Sequence, residues 1–188
     1  MVILMHKPSE LVTVQPYNSE WLTWFERLST FLMTKLGQNV IRIEHVGSTT
    51  IPGTDAKPII DIDIVIRWLD FDRIKSNLEK IGYVHLGDLG ITGREVFDLR
   101  DLELKRQLPN HHLYVCDQHS EELHRHIAFR DYLREHPAVA NEYSNIKMHL
   151  VEMYSGNRER YIQGKDILVR EILEKALQWV KDRTPSLP

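Results

Sequence analysis

HVGSTTIPGTDAKPIIDIDIVI, running from His45 to Ile66, carries the strongest architectural signal in the chain. Ile60, Ile62, Ile64 and Ile66 alternate with Asp61, Asp63 and Val65, and β-branched residues in alternation favour an extended chain. Side chains two apart in a strand point the same way, so Asp61 and Asp63 share one face. Two carboxylates that close resist joint ionisation unless a cation or hydrogen-bond donors offset their repulsion. A hard divalent ion suits them. Magnesium (or manganese) is the expected cofactor, because magnesium takes oxygen ligands at about 2.0–2.1 Å and completes its shell with waters or substrate phosphates.

Gly47 and Ser48 lie just past a predicted strand over Val40 to Val46, with Ser48 thirteen positions ahead of Asp61. A Gly-Ser pair there permits a sharp turn with close backbone approach, exposing N–H groups and a hydroxyl able to hold phosphate oxygens. Thr49 and Thr50 add donors or cap a following helical turn. Taken singly, Gly-Ser-Thr-Thr reads as an ordinary turn and the Asp pair as a solvated strand end. In this order and spacing they read as a phosphate-binding turn serving a metal-binding strand.

Upstream, Asn18 or Ser19 caps a predicted helix carrying Trp21, Phe25, Leu28, Leu32 and Leu36 at helical spacing, stopped by Gly37. Downstream, Phe71 to Ile81 reads as a helix with Ile74, Leu78 and Ile81 inward and Gly82 as its stop. Tyr83 to Leu86, Glu95 to Leu99 and His111 to Cys116 are short strands of a small mixed sheet. From Ser120 onward the strand signals give way to three helices, about Glu121 to Glu135, Ala138 to Tyr154 and Arg158 to Lys181. The expected architecture is α/β (α+β): a small mixed β-sheet core flanked by helices over residues 1–118, with a C-terminal helical layer over 119–188.

At 188 residues and 42% hydrophobic, a chain of this size buries about 70% of its unfolded surface. A net charge of −3 gives no footprint for duplex nucleic acid or a membrane surface. The one cysteine, Cys116, has no internal disulfide partner, and apolar Val2 to Met5 is too short for a leader or a span. The expected compartment is the cytoplasm.

Tyr143 and Lys147 lie four apart on the second late helix, and Tyr161 and Lys165 repeat that spacing on the third. Two readings fit each pair. A lysine neutralises a phosphate while the tyrosine stacks on a base or bonds a sugar, or the tyrosines are core and the lysine stems cover apolar surface. Arg130 shares a stripe with His126 and Arg134, where it either clamps phosphate or pairs with Asp131 or Glu135, and Arg134 reads as structural.

Hydrophobic residues, Gly-Ser and then Asp-x-Asp on the next strand resemble the signature of the nucleotidyltransferase superfamily. EHVGSTTIPGTDAKPIIDIDIVI (Glu44 to Ile66), IAFRDYLREHPAVANEYSNIK (Ile127 to Lys147) and YIQGKDILVREILEKALQW (Tyr161 to Trp179) resemble more closely its GrpB family, across nearly the whole chain. The resemblance implies a nucleotidyltransferase-like fold. It implies that Asp61 and Asp63 carry the metal, and that Gly47 and Ser48 hold a nucleoside triphosphate in a cleft shared by sheet and helices. Lys147, Lys165, Tyr143, Tyr161, Arg130 and Arg94 join as nucleotide-binding residues, Arg94 because Gly93-Arg94 with Phe97 resembles the family's Gly-Arg stretch between central strands. Some relatives are fused to dephospho-coenzyme A kinase, which points to nucleotide-related metabolism.

The third carboxylate of such a site comes from a later strand, and Glu95, Asp98, Asp101, Glu103 and Asp117 are its candidates. His111-His112-Leu113-Tyr114 looks like a family strand in which a further histidine is expected, so Tyr114 departs from it. His112 is the accessory base or ligand if that strand supplies one. The function so implied is transfer of a nucleoside monophosphate from a triphosphate to an unidentified small-molecule or protein acceptor. Two rivals stand beside it. One is a metal-dependent hydrolase built on His111, His112, His119, His124 and His126, the other a nucleotide- or coenzyme-binding module of the same fold without turnover.

Overall fold

The computed structural model describes residues 11–183, and the apolar Val2 to Met5 considered above lies outside them. The chain forms two compact units. Among the described residues, the first holds Ser19–Gly47 and Ile59–His124, and the second takes residues 11–18 together with Ser48–Pro58 and residues 125–183. The division is therefore not a single cut between 118 and 119, because two earlier segments cluster with the late helices.

In the first unit, α1 (Glu20–Leu36) buries Trp21, Leu28, Leu32 and Leu36. Its acidic Glu20 and basic Lys35 sit at the ends that suit the helix dipole. Ser19 occupies the cap position in helical conformation and makes no side-chain capping bond. The strands follow as β1 (Arg42–Val46) and β2 (Ile60–Ile66). Helix α2 (Phe71–Lys80) buries Ile74 and Leu78 and leads into β3 (Tyr83–Gly87) and β4 (Arg94–Leu99). A short α3 (Leu102–Gln107) precedes β5 (His111–Asp117). Sequence periodicity misses α3, whose six residues bury nothing; Asp101 caps it by accepting from the Leu104 N–H at 2.8 Å.

The sheet order is β1-β2-β5-β4-β3. β2 runs parallel to β5, and the other pairings are antiparallel. Residues paired across strands share a face, so the register sorts the sheet into two surfaces. One carries Ile60, Ile62, Ile64 and Ile66 of β2, all 0% exposed. Against it Phe25 of α1 stacks on His45, and Phe71 of α2 meets His85 and Phe97 edge-on. The other surface carries Asp61 and Asp63.

The second unit contains α5 (Pro137–Met153), α6 (Arg158–Arg183) and most of α4 (Glu121–Glu135), whose first turn belongs to the first unit. Its core joins Ile51 from the Ser48–Thr50 turn region to Leu133, Tyr143, Ile172 and Ala176. Val12, Leu150 and Tyr161 form a second cluster. Gly164 lets α6 approach α5, since a Cβ there would stand 2.7 Å from Leu150 Cδ2. Among the described residues, no helix is long and apolar enough to cross a membrane.

Candidate active site

The polar surface of the sheet is assembled by register. Glu44 faces Asp63 and Val46 faces Asp61 across β1 and β2, while Asp61 and Asp63 stand beside His112 and Tyr114 of β5. Arg94 of β4 joins the same surface opposite Cys116. Asp61 and Asp63 thus lie together, as the two-residue periodicity requires. Asp63 is fully buried, whereas the Asp61 side chain keeps 28% of its exposure and is the solvent-accessible member of the pair.

Two neighbours shape Asp61. His112 Nδ1 lies 2.8 Å from Asp61 Oδ1, the N–H donating to the carboxylate. Gly47, at φ +74°, leaves room for the same carboxylate: a Cβ at that position would come within 2.2 Å of Asp61 Oδ2. The Gly of the Gly-Ser pair is therefore required twice, by the left-handed backbone and by the close approach.

These residues fit magnesium. The Asp61 and Asp63 carboxylates are hard oxygen donors on one face, and Gly47 leaves open the space beside Asp61 that a side chain would fill. Among the described residues, no group of three or more His, Cys, Asp or Glu side chains is arranged to hold a metal, so waters or phosphates would supply its other ligands.

The candidates for a third acid disperse. Glu95 lies on the helix-packed surface, 2.5 Å from His85 Nε2. Asp101 caps α3, Glu103 pairs with Arg106, and Asp117 accepts from the backbone of Trp68 and His119. Asp98 shares the parity of Arg94 but pairs with Arg100 near the sheet edge. The acid nearest in register is Glu44, which sequence reading missed and which also pairs with Arg42 at 2.7 Å. Its parity with Val46 was legible, but the connection between β1 and β2 hides the pairing.

The histidines are separated as well. His111, one residue from His112, faces the opposite surface, where Nε2 lies 2.7 Å from the Tyr83 hydroxyl and Nδ1 2.8 Å from the Pro109 carbonyl oxygen. Burial holds its pKa below the ordinary histidine value, although the Pro109 hydrogen bond opposes the shift. The two are not ligands of one ion, which corrects the histidine-hydrolase reading: alternation along a strand splits neighbours between faces.

The helical unit builds its own polar cluster. The Ser48 hydroxyl lies 3.3 Å from the Tyr143 hydroxyl. Lys147, only 2% exposed, sits 4.3 Å from the centre of the Tyr143 ring and donates to the Asp55 carbonyl oxygen. Burial, helped by the charge of Lys165, lowers the Lys147 pKa to about 7, with Asp55 opposing. Lys165 and Lys57 lie over the Tyr161 ring at 5.8 and 5.3 Å. Both predicted tyrosine–lysine pairs are therefore real and partly core, and Lys57, which precedes a proline in an aperiodic connection, is the member sequence reading missed. Arg130 Nε pairs with Asp131 at 2.7 Å. Arg134 donates to the Thr50 carbonyl and hydroxyl oxygens, the structural role expected of it.

Comparison with known proteins places this arrangement. The family described as GrpB protein matches residues 11–175. The chain is 34% identical to UPF0157 protein YqkA of Bacillus subtilis over 94% of its own length and 50% of that protein's, so it spans about half of that relative. The solved conserved protein GrpB from Enterococcus faecalis is similar at TM-score 0.77 and 32% identity, over 89% of this chain and 99% of that one. Cid1, solved in complex with its short product ApU, is similar at TM-score 0.51 and 9% identity over 74% of this chain and 43% of that one, a likeness of fold alone. The fold is nucleotidyltransferase-like, and the chain belongs to the GrpB family.

Proposed function

We propose that this protein transfers a nucleoside monophosphate from a nucleoside triphosphate to an acceptor. The observation that carries the reading is the Asp61–Asp63 pair on the polar face of an inner strand, with Gly47 pressed against Asp61, in a fold of the nucleotidyltransferase type. Asp61 and Asp63 would hold magnesium, which when bound supplies charge neutralisation for the triphosphate. In the balanced reaction an acceptor oxygen or nitrogen bonds to the α-phosphorus, the bond to the bridging oxygen breaks, pyrophosphate leaves, and the acceptor's proton passes to water. Positioning and electrostatics do most of the work in such transfers.

The chain's own contributions follow from their contacts. Gly47 keeps the space beside Asp61 open, and His112 orients that carboxylate through its hydrogen bond. Lys147, Lys165 and the Ser48 hydroxyl are assigned to phosphate charge, and Tyr143 and Tyr161 position those groups. Arg130, held by Asp131, is a further cation for the same role.

Calorimetric titration of ATP, GTP, CTP and UTP with magnesium tests the reading, using wild type and an Asp61→Ala, Asp63→Ala variant. Magnesium-dependent binding in wild type that disappears in the variant is the expected result; binding of no triphosphate sinks the proposal. One observation favours a second reading, binding without turnover: the β5 positions beside the acid pair carry His112 and Tyr114 rather than a carboxylate. Nucleotide binding without pyrophosphate release across a panel of acceptors would decide for it.

A further inference from the structure

Arg94 is 5% exposed, and its Nε and Nη2 are buried with no hydrogen-bond partner among the described residues. Those two nitrogens form the side-on edge of the guanidinium, the pair of parallel N–H donors that matches two oxygens of a carboxylate or phosphate. A permanently charged group closed off from water with its fork unfilled is costly as it stands. The rest of the side chain is fixed, since its Cζ lies 4.7 Å from the centre of the Tyr114 ring. Burial raises the Tyr114 pKa, so that ring remains a neutral phenol and does not satisfy the charge. The fork is held in place, and its two edge nitrogens make no hydrogen bond among the described residues.

Its position says which ligand it serves. In the order β1-β2-β5-β4, the Gly47 turn ends β1 on one side of the Asp61–Asp63 strand, and Arg94 lies on the other side with β5 intervening. Two strand spacings amount to about 10 Å, and because Arg94 pairs with Cys116 and Cys116 with Val65, the arginine also sits two residues, about 7 Å, further along the strands than Asp63. The acid pair therefore stands between the turn assigned to the triphosphate and the arginine. We propose that Arg94 receives a two-oxygen acid group, carboxylate or phosphate, on the acceptor, so that the acceptor is an anionic molecule. The assignment rests on the nucleotidyl-transfer reading and moves Arg94 from the nucleotide to the molecule that accepts it.

The test begins without nucleotide. Inorganic phosphate and acetate, each at matched ionic strength against chloride, are titrated into wild type, Arg94→Lys and Arg94→Met by calorimetry and thermal unfolding. Saturable binding of at least one of them in wild type is expected, weakened about ten- to hundredfold in both variants, because lysine keeps the charge but loses the fork. Absence of saturable binding in wild type, or unchanged affinity in the variants, overturns the proposal whatever nucleotides do. The acid that binds more tightly identifies the acceptor's group. A wild-type competition arm needs no variant to fold: with magnesium and the triphosphate found to bind, the acid must still bind. Mutual exclusion assigns the fork to the nucleotide and overturns the acceptor assignment. Failure of every triphosphate to bind while the Arg94-dependent acid site persists would remove the transfer reading and leave an anion receptor.

Discussion

The two surfaces of the sheet are made by the same strands, one residue apart, and they differ in nearly every physical respect. On β2 the even-numbered isoleucines are sealed beneath α1 and α2, while Asp61 and Asp63 stand on the opposite face beside His112, Tyr114 and Arg94. Consecutive His111 and His112 show the contrast in miniature. His111 is locked between Tyr83 and Pro109 and held toward neutrality by burial, whereas His112 reaches a carboxylate. On the first surface His111 and Glu95 find their partners within the sheet, in Tyr83, Pro109 and His85. The second gathers two acids, a histidine, a tyrosine and an arginine whose Nε and Nη2 make no hydrogen bond among the described residues, the face to which the proposed function assigns its ligand.

The sharpest way to break that contrast is to mutate both faces of one strand. Ile64→Ala should cost about 2–5 kcal/mol in urea unfolding, because it opens a cavity under packed helices. Asp61→Asn should change stability by no more than about 0.5–1.5 kcal/mol, the scale of one hydrogen bond, while abolishing magnesium-dependent nucleotide binding. Equal destabilisation by the two would mean that the polar face is structural.

The same logic extends to the buried lysine of the helical unit. Lys147 has a folded pKa of about 7 against an ordinary 10.5. Between those values the unfolded chain binds a proton that the native chain lacks, so wild-type stability should rise with pH there, by up to about 1.4 kcal/mol per pH unit. Below pH 7 this contribution levels off with the penalty fully imposed. Lys147→Met should remove the slope in unfolding curves taken from pH 7 to 9.5. An unchanged slope would show that Lys147 stays charged.

A smaller effect is expected at the turn. Gly47→Ala should cost about 1–3 kcal/mol, from a left-handed backbone and the contact with Asp61. It should also weaken metal-dependent nucleotide binding, because the carboxylate must move. Gly53→Ala is the control: Gly53 has the same φ of +74° but open space around it, so it should show the strain without the binding loss.

Much of this was legible in the chain itself. The alternation over Ile60–Ile66 placed the acid pair on one face, the stripe of α1 appeared at its expected residues, and α4 ran over the predicted span. The resemblance of three segments identified the family. Short capped elements such as α3 escaped, since six residues with no buried side chain carry no periodic signal. Asp101 and Asp117, weighed as ligands, proved to satisfy backbone N–H groups, because sequence does not distinguish a carboxylate that caps from one that coordinates.

What the sequence determined by itself is what period and local chemistry encode: which residues of β2 turn together, where helices start and stop, and that Gly47 must be glycine-like. Pairing partners, and therefore neighbours, were decided only in the tertiary structure. Glu44 facing Asp63, His112 bonded to Asp61, Lys57 beside Tyr161 and the unfilled fork of Arg94 on Tyr114 all depend on registers and packing between residues far apart in the chain. Such contacts leave no trace in local spacing, because the free energy that selects them comes from burying surfaces that meet only after the chain has folded.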